Sequence, residues 1–337
     1  MIRYPQLPLG GGIGVTAPSS GVPEHLMQLL DMAVDRMTGN GYRVVCGDTA
    51  RSQYKAKSAQ AQVRAAELNG MLQDQSIDLI LPPWGGELLI EVLEHVDFER
   101  ITPKWIMGYS DISLLLLAVT LRTGIATAHG TNLIDLRGEH TDPTTAMWEK
   151  VLTLSEGESI LQKSSPAYQT QWPDRLSPIA YKLTEPTSWK TVGGSSVSMQ
   201  GRLLGGCIDV IRHLVGTPYG DVQGFRREHL RNEPTVWYLE NCELNTADLR
   251  RSLVQMKYAG WFDGCAGLLF GRSPANMPMD GYTAEDVYRD LAEELRIPVV
   301  YDIDCGHQPP QLTLVNGAYA EIVTSNGEGA IRQYFMS

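Results

Sequence analysis

A serine at position 110, a glutamate at 240 and a histidine at 307 are the side chains of this chain best suited to acyl transfer. A neutral hydroxyl is a weak nucleophile, so a neutral imidazole must take its proton as it attacks. An unperturbed imidazole titrates near neutrality, which suits His307 to that task. The imidazolium so formed needs an anion to fix its tautomer and stabilise its charge, and Glu240 is the candidate. The tetrahedral intermediate needs N–H donors. The backbone N–H of Asp111, just after the serine, is one; the Gly85-Gly86 pair offers another, because a residue without Cβ lets backbone approach a substrate.

These residues share one kind of address. Trp105-Ile-Met-Gly-Tyr-Ser110-Asp-Ile-Ser-Leu-Leu-Leu-Leu reads as a short buried strand, a sharp turn at the serine and an apolar helix. That sets the hydroxyl among the free N–H groups of a helix start. The turn is Gly-Tyr-Ser-Asp and not Gly-x-Ser-x-Gly, so context and not motif carries the reading. The competing reading is a Ser-Asp helix cap. Gly85-Gly86, Glu240 and His307 likewise follow the predicted strands at 77–81, 235–240 and 298–302. In α/β sheets ligands gather at such strand ends.

Those elements alternate as strand, helix, strand over the first half: a strand at 12–15, a helix over 23–38, a strand at 42–46, a helix over 56–73, a strand at 77–81 that leads through the glycine pair into a helix over 87–93, then the serine unit. The pattern predicts an α/β protein whose N-terminal domain has a flavodoxin- or Rossmann-like parallel sheet, residues 1–155. A Pro-, Ser- and Trp-containing stretch over 156–195 reads as a crossover with surface loops. A C-terminal α/β domain follows over 196–337, with strands at 199–204, 235–240, 266–271, 298–302, 312–315 and 320–323. The active site is expected between the two domains.

Bulk properties narrow the function. The chain has 337 residues and a net charge of −11, with no run of basic residues. This argues against a nucleic-acid polymer or an anionic membrane as partner. No apolar stretch reaches the roughly 20 residues that span a bilayer, and the N-terminus carries no signal-peptide pattern. Five scattered cysteines read as free thiols, pointing to a cytoplasmic protein. No cofactor motif is persuasive: Gly11-Gly-Ile-Gly14 reads as an entry loop.

With these residues in place, the chain resembles the LD-carboxypeptidase / microcin C immunity family of serine peptidases over nearly its whole length. The resemblance rests on Gly14-Val-Thr-Ala-Pro-Ser-Ser20, Trp84-Gly-Gly-Glu-Leu-Leu89, Gly108-Tyr-Ser-Asp-Ile112, His129-Gly130, Leu204-Gly-Gly206, Leu239-Glu240 and Asp304-Cys-Gly-His307. It implies a Ser110, Glu240, His307 triad, oxyanion amides at Gly85-Gly86 and Asp111, no cofactor or metal, and a homodimer. It also implies Trp189 as an aromatic that stacks on a substrate nucleobase. Cys207 departs from the asparagine that commonly follows the second Gly-Gly.

The function expected is cleavage of a C-terminal amide in a small peptide-like substrate through an acyl-enzyme. An aminoacyl nucleotide, as in antibiotic self-immunity, is the first substrate class and a murein tetrapeptide the second. Two rivals stand beside it. One is a non-catalytic nucleotide- or peptide-binding protein. The other is a metallohydrolase using Asp304 and His307.

Overall fold

The computed structural model describes residues 1–172, 176–194 and 196–336. Its first half builds a six-stranded sheet in the order Leu314–Asn316, Thr127–His129, Trp105–Gly108, Leu79–Ile80, Gly12–Val15, Arg43–Cys46. All pairs are parallel except that Leu314–Asn316 runs antiparallel to Thr127–His129. Parallel strands buried on both faces read as unbroken apolar runs, as Trp105-Ile-Met-Gly108 does.

The second, eight-stranded sheet has the order Ser159–Lys163, Glu328–Tyr334, Tyr319–Ser325, Val197–Cys207, Thr235–Glu240, Cys265–Gly271, Val299–Ile303, Lys190–Thr191. Its four strands from Val197–Cys207 to Val299–Ile303 are mutually parallel, with antiparallel strands on either side. The segment read as a crossover thus supplies both edges of this sheet. The strand near 312–315, read as part of the C-terminal unit, crosses to the other one. Asn316 fixes that crossing: its Oδ1 accepts from the Gly205 N–H at 3.0 Å and from the Tyr238 hydroxyl at 2.8 Å.

The helix behind the nucleophile, Ile112–Thr123, joins the two sheets. It is buried from Ile112 to Leu121 and packs on Trp105–Gly108 on one side and Val197–Cys207 on the other. A helix apolar all round must be covered all round, and each buried leucine contributes roughly 1.5–3 kcal/mol. Gly124, in the left-handed region at φ 68°, ends it. The helix expected over 87–93 is instead a run of 3-10 turns at Leu89–His95. Among the described residues no helix is long and apolar enough to cross a membrane.

Candidate active site

The carboxyl ends of both sheets open on one cleft of about 550 Å³. Trp105–Gly108 delivers Tyr109 and Ser110 to it, and Leu79–Ile80 delivers Trp84, Gly85 and Gly86. The second sheet brings His307, four residues past the Val299–Ile303 strand.

Ser110 has φ 62°, a conformation a residue with a Cβ rarely adopts. Such backbone strain persists only where its surroundings enforce it. Asp111 takes the N-cap position of the Ile112–Thr123 helix, yet its side chain makes no capping bond. Its carboxylate instead accepts from the Ser19 hydroxyl at 2.5 Å and the Leu89 N–H at 2.8 Å. Burial raises the Asp111 carboxyl above its usual range, partly opposed by those two donors. So the Ser-Asp pair does not work as the helix cap its composition allows: Asp111 ties the loop at Ser19 and the turn at Leu89 to the nucleophile. Arg64 adds a second tie. It is fully buried and its Nη1 donates to the carbonyls of Pro18 and Leu88, both at 2.9 Å.

Gly85 sits against the serine. A Cβ there would lie 2.6 Å from Ser110 Cβ, 2.7 Å from its Oγ and 3.2 Å from the Asp111 nitrogen. Only glycine fits. At Gly86, φ 145°, a Cβ would meet the Ser19 and Ser20 hydroxyls at 2.3 and 2.4 Å. The glycine pair and the Asp111 amide therefore flank the nucleophile.

Glu240 is the last residue of the Thr235–Glu240 strand and is fully buried. Its Oε2 lies 2.8 Å from His307 Nδ1. Gly306 makes that contact possible: at φ 98°, a Cβ on it would sit 2.5 Å from Glu240 Oε2. Gln311 pins the loop, accepting from the Gly306 N–H at 3.1 Å and donating to the Gly306 carbonyl. The Tyr109 ring meets the imidazole edge-on at 5.1 Å. With Nδ1 committed to Glu240, Nε2 is the nitrogen left to take a proton from the cleft.

Burial disfavours the charged forms of both partners, but their mutual attraction prevails. Glu240 is held below its usual range, and His307 is held well above its ordinary 6.5 by Glu240 and by the neighbouring Cys242. A base must be neutral to act. A raised value therefore moves the acid limb of kcat/KM upward. We expect kcat/KM, with chemistry rate-limiting, to be still rising as pH passes 6.5; a plateau reached below that point contradicts the assignment of His307 as base. Asp135, also in the cleft, is pushed by burial to about 6 and titrates before it.

One expectation needs correction. Trp189 does not face the cleft. It is 2% exposed, packs in the second sheet's core and donates from Nε1 to Asp304 at 2.9 Å. An indole enclosed on both faces cannot stack on a base. Two tryptophans line the cleft, Trp84 and Trp172; the more exposed is Trp172, 49% exposed and edge-on to Tyr181 at 5.9 Å. Asp304, which the metallohydrolase rival needs as a ligand, is already engaged. Its buried carboxylate accepts from the Ser165 N–H and hydroxyl, Trp189 and Arg272 at 2.5–3.0 Å. Sequence reasoning also missed Asp135 and Arg137, which line the cleft from the loop after Thr127–His129. Their signal was positional: they too follow a buried parallel strand. Among the described residues, the group with ligand-type atoms close enough to share a metal is Cys207, Glu240 and His307.

A strained serine, a flanking glycine pair and an imidazole bound to a buried carboxylate, all at sheet ends, define a serine-type hydrolase site. The LD-carboxypeptidase N-terminal domain profile matches residues 13–130, and the C-terminal domain profile residues 200–322. The chain belongs to the LD-carboxypeptidase family and is a serine-type peptidase. It is 24% identical to the microcin C7 self-immunity protein MccF of Escherichia coli, covering 98% of this chain and 96% of that one. It is 26% identical to the "Probable murein peptide carboxypeptidase" of Bacillus subtilis, covering 96% and 92%. The solved structure of MccF in complex with aspartyl sulfamoyl adenosine superposes over 100% of both chains with a TM-score of 0.82 at 22% identity.

Proposed function

We infer that this protein cleaves an amide at the C-terminal end of a small peptide-like substrate through an acyl-enzyme on Ser110. The observation that carries this is the bond from Glu240 to His307 in the cleft that also holds the strained Ser110. Ser110 Oγ attacks the carbonyl carbon while His307 Nε2 takes its proton. The oxyanion is met by the Asp111 N–H and an amide of the Gly85-Gly86 turn. His307 then passes its proton to the leaving nitrogen, the C–N bond breaks, and water repeats the sequence to free the serine. Glu240 holds the ring and balances its charge throughout. The Glu240–His307 pair and a strained serine in the same cleft support hydrolysis over simple ligand binding, which needs neither.

For the substrate we favour an aminoacyl nucleotide over a murein peptide. Trp172 supports this with a half-exposed ring in the cleft, and MccF, similar along its whole length, has been solved with aspartyl sulfamoyl adenosine. Incubation with an aminoacyl sulfamoyl adenosine and, separately, with murein tetrapeptide, followed by mass analysis, tests the choice. The expected result is release of the amino acid from the nucleoside. Release of the terminal D-amino acid from the tetrapeptide alone gives the carboxypeptidase reading instead.

Trp172→Ala sharpens the test. Base–aromatic stacking contributes roughly 1–3 kcal/mol, so KM for the nucleotide substrate should rise about tenfold or more. A KM that does not move removes the stacking role.

A further inference from the structure

The base end of the triad contains a residue the hydrolytic scheme does not use. Cys207 ends the Val197–Cys207 strand and pairs in register with Glu240 on the adjacent parallel strand. Sheet geometry, not a loop, therefore sets the two side by side. One ligand-type atom from each of Cys207, Glu240 and His307 lies within 4.8 Å of the others. Oε1 of Glu240 is buried with no hydrogen-bond partner, and a buried carboxylate oxygen left unpaired is costly. The Cys207 thiol is close enough to steady the Glu240 carboxylate, but the hydrogen bond of good geometry that it makes goes to the Asp209 carboxylate, at 3.4 Å.

We propose that Cys207, Glu240 and His307 form a binding site for a soft divalent cation of the zinc type, and that filling it reversibly blocks hydrolysis. Thiolate, carboxylate and neutral imidazole together carry two negative charges, which a divalent cation cancels. The mixed S, O, N donor set suits zinc or cadmium and disfavours magnesium or calcium. The cation enters from the cleft, where His307 keeps 16% of its side chain exposed. Binding releases the Cys207 S–H proton to solvent and places the metal on His307 Nδ1, whose proton moves to Nε2, so the ring stays neutral. Nε2 then carries a proton in place of its lone pair, and no base remains for Ser110. Cleft water completes the coordination. Sensitivity of this kind is tied to the cysteine at 207.

Inhibition rests on the triad reading; metal binding does not. Both are measured on the full chain after chelator treatment. Cadmium is titrated while the thiolate-to-metal charge-transfer band is followed, zinc is titrated by calorimetry, and hydrolysis is assayed in parallel with magnesium as the hard-cation control. The expected result is one equivalent bound, activity falling in step with occupancy, recovery on adding chelator, and no response to magnesium. Loss of an outer-shell partner alone weakens metal sites 10–100-fold, so Cys207→Ala should weaken binding by about 100-fold or more. Cys207→Ser is run beside it, with metal-free melting temperatures confirming both folds, and each variant's own metal-free rate is its reference. No band, a band that survives Cys207→Ala, or full occupancy with undiminished hydrolysis overturns the proposal. Ser110→Ala separates the two readings, since it should still bind cadmium whether or not Ser110 proves to be the nucleophile.

Discussion

Ser110→Ala is expected to lower kcat by on the order of 10⁴–10⁶-fold while leaving KM and the melting temperature near those of the parent. The size follows from what is removed. Without the hydroxyl no acyl-enzyme forms, and only oxyanion stabilisation and substrate positioning remain for direct attack by water. The backbone at 110 has φ 62° with either residue, so alanine should neither relieve nor add strain. Hydrolysis that survives within tenfold of the parent would mean that a non-covalent site or a different nucleophile does the chemistry. A bare loss of activity could also come from misfolding. Retained substrate binding by calorimetry, with an unchanged KM for any residual rate, excludes that.

Glu240→Gln should cost about 10⁴-fold in kcat, the scale seen when a triad carboxylate is replaced by its amide. The pH profile gives a second readout that a merely structural role would not move. Burial lowers the imidazole value of His307; the Glu240 charge is the largest influence raising it, with Cys242 adding to it. With that charge gone, the acid limb of the residual kcat/KM should shift to lower pH than in the parent. A limb that stays put belongs to another group, with Asp135 at about 6 the first to consider.

The residues of the candidate site and the α/β alternation were legible because each depends on local pattern. A buried apolar strand, a tight turn and a polar residue occupy only a few positions, and Trp105 to Ile112 or Thr235 to Glu240 carry all three. What the chain hid was long-range. Nothing near residue 314 signals that its strand crosses to the other sheet, because the partner, Thr127–His129, lies far away in the sequence. Trp189 misled for the same reason. Pro-Thr-Ser-Trp-Lys looks like a surface loop, and only the carboxylate of Asp304, 115 residues on, draws the indole inside. Trp172 stands in an equally polar stretch and stays in the cleft; no local feature separates the two. The segment over 87–93 reads as a helix, yet the backbone there forms 3-10 turns at Leu89–His95. Anchoring of Leu88 and Leu89 by Arg64 and Asp111 helps to hold the segment in its place.

The proposed mechanism turns on one covalent bond, between Ser110 and an acyl or phosphonyl group, made at a rate that depends on His307. A fluorophosphonate probe followed by intact-mass and peptide analysis measures it directly. A single adduct is expected on the peptide containing Ser110, formed orders of magnitude more slowly in His307→Ala. An adduct on any other residue, or labelling of Ser110 at an undiminished rate without the imidazole, would contradict it.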